Sequence, residues 1–316
     1  MIGGTLMRKL QWVISLIITL SCLVAAANIG IIQIVEHPAL DAARKGFVDE
    51  LKEQGIDANY TYQNAQNDMS TLQTIAGQLV ADKVDLILAI ATPAAQVTAK
   101  ATTTIPIVIT AVTDPKEAGL VKDFDRPGTN VTGTSDMNPV DKQLELIKQF
   151  KPNATHIGII YNAGESNSVV QVEMAKKAAK ELGYKLVLVS ATETSGVYQA
   201  AQSLQGRVDA IYVPTDNTVV AALESVIAFC ERNKIPLIAG EGESVSRGAL
   251  ATIGIDYYQL GRQTGDMAIR ILNGSKPETT AIGVQQTMNL IINKEAAKRM
   301  GISIPDVLLK AATIIE

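Results

Sequence analysis

Two short stretches decide the fold: Asn28-Ile-Gly-Ile-Ile32 and His156-Ile-Gly-Ile-Ile160, whose glycines Gly30 and Gly158 stand 128 residues apart. Each is followed by an amphipathic pattern that stops at a glycine. The first runs from Pro38 to Gly55 with Leu40, Phe47, Val48 and Leu51 on one face. The second runs from Ser168 to Gly183 with Val169, Val172, Ala175, Ala179 and Leu182 on one face. Gly55 and Gly183 are again 128 apart. A strand followed by a helix, written twice, predicts an internal duplication.

The parallel continues outward. Val84-Asp85-Leu-Ile-Leu88 answers Val208-Asp209-Ala-Ile-Tyr212, and Ile105-Pro106-Ile-Val108 answers Ile235-Pro236-Leu-Ile238. Short apolar runs bounded by turns are the pattern of buried parallel strands. Helical patterns separate them near Met69 to Ala81, Ala94 to Ala101 and Val219 to Asn233. Alternating strands and helices predict βαβ units. The expected fold class is therefore α/β: two doubly wound parallel-sheet lobes. Asn130–Asp136 and Leu250–Asp256 end the two halves and predict crossings between lobes, with a third near Gly283 to Leu290. The expected division is 28–136 plus 257–285 for one lobe, and 137–256 plus 286–316 for the other.

The first 27 residues form a separate object. Arg8 and Lys9 precede an apolar run from Leu10 to Val24 and the small residues Ala25, Ala26 and Ala27, the pattern of a cleaved secretory leader. Met7 is an alternative start, and an uncleaved membrane anchor is the competing reading. Ser21-Cys22 partly fits a lipid-anchoring site, but Thr19 stands where leucine is usual. The other cysteine, Cys230, falls in an apolar helical pattern and reads as a core residue, so no disulfide is expected. At 316 residues and 47% hydrophobic, the chain has enough apolar mass for two cores. Its net charge of −4 argues against a nucleic-acid partner.

Ligands of open parallel sheets bind at the carboxyl ends of the strands. Polar clusters fall at those ends in both halves: Glu36-His37-Pro38, Ala91–Gln96, Ala111–Pro115, Tyr161–Ser168, Pro214–Thr218 and Ala239–Glu243. A helix start such as Thr92-Pro93-Ala94-Ala95 offers free N–H groups to an anion. Asp114, Glu165, Asp216 and Glu241 could take an ammonium group, and an α-amino acid needs both kinds of partner. Asp216 corresponds to Thr92 in the other half, 124 residues earlier, as Asp209 corresponds to Asp85. It is read as the ammonium partner, with helix capping as the alternative. His37 reads equally as a ligand contact or a helix-start residue, and His156 as structural. The chain lacks a Gly-Lys-Ser/Thr phosphate loop, a Gly-x-Ser-x-Gly elbow and a metal-spaced His/Cys set. No enzyme, cofactor or metal is expected.

The series ATPAAQ at 91–96, TAVTDP at 110–115, NVTGTSD at 130–136, YNAGESNS at 161–168, VPTDNTV at 213–219 and GALATIGIDYYQLG at 248–261 resembles the ABC-transporter substrate-binding family that includes tryptophan/tyrosine receptors. The likeness spans roughly residues 28–310. It implies a type I periplasmic-binding-protein fold, a three-segment hinge, and delivery of a small solute to a membrane permease and, through it, an ATPase. It implies that Thr92, Ala94 and Ala95 hold a ligand carboxylate, with Asp216 and Asn217 around the amino group. Ser135, Asp136, Tyr161, Glu165, Asn167, Ser168, Glu241 and Asp256 would line the remainder. The expected protein is an exported, periplasmic or cell-surface monomer that binds an amino acid, aromatic by preference. A sugar or nucleoside receptor is the alternative, weakened because Trp12, in the leader, is the sole tryptophan. A ligand-sensing module of the same fold is the other.

Overall fold

The computed structural model describes residues 26–316. The leader residues 1–25, with Trp12 and Cys22, lie outside them. The chain begins with β1 (Ala27–Gln33), α1 (Pro38–Glu53), β2 (Ala58–Asn64), α2 (Met69–Ala81), β3 (Leu86–Ile90), α3 (Thr92–Ala101), β4 (Ile107–Val112) and β5 (Val131–Ser135). Ala27, counted with the leader from sequence, is the first residue of β1, and its N–H donates to Asp57 O at 2.9 Å.

The plan then repeats with α4 (Val140–Phe150), β6 (His156–Tyr161), α5 (Ser166–Leu182), β7 (Lys185–Ser190), α6 (Val197–Gln202), β8 (Ala210–Val213), α7 (Asn217–Ala221), α8 (Leu223–Asn233), β9 (Leu237–Ala239), α9 (Gly242–Arg247) and β10 (Ala251–Gly254). The chain closes with α10 (Tyr257–Leu272), β11 (Gly283–Val284), β12 (Asn289–Asn293), α11 (Lys294–Met300), α12 (Asp306–Ala311) and β13 (Thr313–Ile315).

These strands form two sheets, ordered β11-β5-β4-β3-β1-β2 and β13-β12-β10-β9-β8-β6-β7. Every pairing is parallel except β10 with β12. β12 departs from the all-parallel expectation because it enters its sheet from the crossing side, antiparallel to β10 and parallel to β13. The chain passes between sheets three times, at 136–139, 255–256 and 285–288. Each sheet has its own apolar core: one draws on Ile29 to Val131 and recovers Tyr257, Leu260 and Ile271, the other on Val140 to Ala251 and recovers Ile292 and Met300.

The duplication has a physical basis at each repeated residue. Gly30 pairs with Ile87 and Gly158 with Ile211, in the same register. A Cβ on Gly30 would meet Leu79 Cδ2 at 2.8 Å, and one on Gly158 would meet Leu204 Cδ1 at 2.7 Å. Glycine at both places lets an apolar side chain lie directly on the first strand. Asp85 Oδ2 accepts the N–H of Asn28 at 2.7 Å, and Asp209 Oδ2 accepts the N–H of His156 at 2.9 Å. The repeated Val-Asp pairs thus tie the start of one strand to the start of the next.

Two helix expectations change. Val169 is exposed, because the inner side of the first turn of α5 carries Asn167, Ser168 and Gln171 instead. The helix foreseen over 219–233 is two helices, broken at Ala222, whose φ of −119° and ψ of 28° leave the helical region. Cys230 is a free thiol buried in α8.

Candidate functional site

A narrow cavity of about 10 Å³ lies between the two sheets. From the first lobe it is lined by His37, Ala39 and Leu40 at the start of α1, Ala111 at the end of β4, Asp136 in the first crossing and Tyr257 at the start of α10. From the second it is lined by Asn167 of α5, by Thr215, Asp216, Asn217 and Val220 around the start of α7, and by Glu241 before α9. Every one of these elements follows a strand at its carboxyl end or is itself a crossing, as open α/β sheets require of a ligand site. Ala111 holds a left-handed φ of 55° where β4 and β5 slip in register. Strained small residues of this kind gather at ligand sites because a larger side chain would close the space.

Among the described residues, six buried side-chain polar atoms have no hydrogen-bond partner. Three of them line this cavity: His37 Nδ1, Asp136 Oδ1 and Asn167 Oδ1. Two more, Thr92 Oγ1 and Glu243 Oε2, sit on α3 and α9. Buried polar atoms are nearly always paired, so orphans gathered around one cavity point to a partner of complementary polarity. Asp136 Oδ2 accepts the Tyr257 hydroxyl at 2.6 Å, which leaves Oδ1 available. Burial pushes the Asp136 carboxyl up, against the hydroxyls of Tyr257 and Thr113 that favour its charge. Burial lowers the His37 imidazole, with Glu241 opposing, so a neutral ring is favoured.

The acidic residues of the second lobe are engaged within it, and Asp216 takes the capping role that was its alternative reading. Its Oδ2 accepts from Asn162 N–H at 2.5 Å and the Ser168 hydroxyl at 2.6 Å, and Oδ1 accepts Val219 N–H at 2.8 Å. It therefore caps α7 and joins it to β6 and α5. Burial and the nearby Glu165 charge push its carboxyl up. Glu165, expected to line the site, caps α7 from a neighbouring element. Its Oε1 accepts Thr218 N–H at 3.0 Å and Oγ1 at 2.8 Å, and its Oε2 accepts Asn217 N–H at 3.1 Å and Nδ2 at 2.6 Å. Glu241 caps α9 through Ser244 N–H at 2.9 Å. These short helices have first-turn N–H groups that need acceptors, and buried carboxylates supply them.

The remaining expected residues separate. Asp136, Asn167, Asp216, Asn217 and Glu241 meet at the cavity. Thr92, Ala94 and Ala95 are the buried first turn of α3, and the Ala95 N–H already donates to Ala91 O at 3.1 Å. Ser135 Oγ donates to Thr113 O at 2.7 Å, and Ser168 serves Asp216. Tyr161 ends β6 half-buried, outside the cavity lining. Asp256 is exposed, caps α10 through Gln259 N–H at 3.0 Å, and lines a separate surface hollow with Gln285. Ala111 and Thr215 fall within the strand-end clusters read from sequence, whereas Ala39, Leu40, Val220 and Tyr257 were missed, and Tyr257 is identified by its bond to Asp136 alone.

A two-lobed α/β molecule with one polar cavity between its lobes is a solute-receptor architecture. A family model described as ABC transporter substrate binding protein matches residues 28–315, and the chain belongs to that family. It is 48% identical over 277 residues to a tyrosine-binding protein of Clostridioides difficile, covering 86% of this chain and 80% of that one. It is also similar to the ABC domain from Streptococcus pneumoniae solved in complex with L-Trp, with 39% identity, a TM-score of 0.89, and coverage of 92% of this chain and 100% of that one. A substrate-binding protein with adhesive properties from Clostridium difficile, in its ligand-free, open form, shares 46% identity over 92% of this chain and 99% of that one, at a TM-score of 0.69.

Proposed function

We propose that this chain is the extracytoplasmic receptor of an ABC importer and that the cavity between its lobes takes an α-amino acid with an aromatic side chain. The observation that carries this is the orphan set, His37 Nδ1, Asp136 Oδ1 and Asn167 Oδ1, around a cavity that also presents the apolar surfaces of Ala39, Leu40, Ala111, Val220 and Tyr257 beside the polar Thr215, Asp216, Asn217 and Glu241. Acceptors at Asp136 and Asn167 suit an ammonium group. His37, at the start of α1, suits a carboxylate. The lobes leave only about 10 Å³ of free space here, far below the roughly 300–1,000 Å³ of small-molecule sites, so a ligand needs them to part before it can enter. The relative that binds tyrosine and the neighbour holding L-Trp support the same ligand class.

The two lobes are read as units that close around the solute, flexing at 136–139, 255–256 and 285–288. The better superposition on the Trp complex than on the open relative, despite lower identity, supports reading the present arrangement as closed. Delivery to a permease and ATPase, and removal of roughly the first 27 residues as a leader, complete the reading. Intact-mass measurement of the exported protein tests the latter: a mass that includes Trp12 overturns it.

Titration calorimetry with L-tyrosine, L-tryptophan, L-phenylalanine, L-leucine and ribose tests the ligand class. Aromatic amino acids are expected to bind most tightly. Heat from ribose with none from any amino acid overturns the reading.

A further inference from the structure

Far from the crossings, one side chain of the first lobe reaches into the polar network of the second. Asn67 Nδ2 donates to Thr218 Oγ1 at 3.2 Å. Thr218 is fully buried, and its hydroxyl donates to Glu165 Oε1 at 2.8 Å and accepts Asn162 Nδ2 at 2.9 Å. The same α7 carries Asn217 and Val220, with Asp216 as its cap, and all three line the cavity. Thr218 is thus the point where a contact from the other lobe meets the elements that surround the ligand.

The turn that presents Asn67 is held firmly. Gln66 and Asn67 are consecutive left-handed residues, with φ of 52° and 63°. Asn67 N–H donates to Ile34 O at 2.7 Å, and Gln66 N–H donates to Asn64 Oδ1 at 2.8 Å. Asparagine tolerates this conformation better than most residues, and here its amide also has a target across the cleft.

Position makes the contact sensitive to closure. The turn follows β2 and folds back over β1, three to four strands from β5, where the first crossing begins. At about 4.8 Å per strand that is a lever arm of about 15–19 Å. A rotation of about 10° at that radius moves Asn67 by roughly 3 Å, which takes the donor beyond hydrogen-bonding range. On opening, water replaces the Asn67 bond while Thr218 keeps its partners in its own lobe. The contact breaks without leaving a buried orphan, so its net worth is that of one ordinary hydrogen bond.

We propose that Asn67 is a latch: its bond to Thr218 forms only in the closed arrangement, deepens that arrangement, and slows ligand release without reading the ligand. The latch rests on the closing-receptor reading above and assigns a positioning role to a residue that does not line the cavity. A second inter-lobe contact, Gln96 Nε2 to Ser166 Oγ, is longer at 3.4 Å and weaker.

Asn67→Gly tests it, since glycine keeps the left-handed turn and removes the amide. Stopped-flow dissociation of L-tyrosine and of L-tryptophan is expected to quicken by about 3- to 10-fold, by the same factor for both, with association unchanged. In a Thr218→Val background the same substitution is expected to add nothing. Spin labels at Thr61→Cys and Glu193→Cys, both exposed positions in opposite lobes, report the closed fraction of the protein as purified. That fraction is expected to fall in Asn67→Gly. An equal closed fraction in the two proteins overturns the latch. A changed tyrosine-to-tryptophan ratio also overturns it, by making Asn67 a ligand contact. Loss of both amino acids from the unmodified protein overturns the ligand reading instead, and the label distances still decide the latch.

Discussion

The Tyr257 hydroxyl donates to Asp136 Oδ2 at 2.6 Å, joining the first residue of α10 to the first residue after β5. Two of the three crossings are thereby connected on the cavity side, and one oxygen of Asp136 is oriented toward the cavity while the other is held. Tyr257→Phe removes the donor and leaves a buried carboxylate without its principal partner. Stability in urea is expected to fall by about 1–3 kcal/mol, with weaker amino-acid binding. Unchanged stability and unchanged affinity would remove Tyr257 from the site.

Asp136 and Asp216 are expected to separate by experiment. Asp136→Asn keeps an acceptor for Tyr257 and removes the charge beside the cavity, so binding of L-tyrosine should weaken by roughly 2–5 kcal/mol with little change in melting. Asp216→Ala leaves the N–H groups of Asn162 and Val219 and the Ser168 hydroxyl without an acceptor, and should lower stability by at least about 2 kcal/mol. Full-strength binding in Asp136→Asn would contradict the assignment of the ammonium to this residue.

Glu243 is expected to make stability depend on pH. Burial, and then the neighbouring Glu241 charge, push its carboxyl from 4.5 up to about 9. The folded protein then holds a proton that the unfolded chain has released. Its contribution is greatest below about 4.5 and declines as pH rises toward about 9. Glu243→Gln mimics the protonated form and should flatten the decline, raising the melting temperature at pH 8 relative to the unmodified protein. An identical pH profile in the two proteins would count against the shift.

The return of α10 to the first lobe depends on close contact with α1. A Cβ on Gly261 would overlap the Ala43 carbonyl, and one on Gly46 the Tyr258 carbonyl. Gly261→Ala must push the helices apart and is expected to cost about 1–3 kcal/mol or more. Circular dichroism melts measure this, and a neutral result would mean that the helix pair shifts freely.

Local patterning made much of this molecule legible. The spacing of Gly30 from Gly158 and of Asp85 from Asp209 reflects contacts within a single βαβ unit, where each residue meets partners that its own segment supplies. The helix over Met69–Ala81 and the strand starts at His156 and Ala210 follow from apolar periodicity and turn residues for the same reason. The strand-end rule also brought Asn167, Asp216, Asn217 and Glu241 to one cavity, since all stand where parallel strands stop, while Asp136 came from the crossing and the family resemblance.

By itself, then, the sequence determined the two α/β lobes, their order, and which loops face each other, because those depend on near neighbours in the chain. Only the tertiary structure decided which polar atoms those loops leave unpaired. Asp216 and Glu165 look identical in sequence to a free acidic partner, yet their oxygens are occupied by N–H and hydroxyl groups from α5, α7 and the end of β6. Asp136 keeps Oδ1 open while the Tyr257 hydroxyl, 121 positions away, holds Oδ2. Hydrogen-bond partners across such distances are selected by how strands and crossings converge in space, and no local pattern records them.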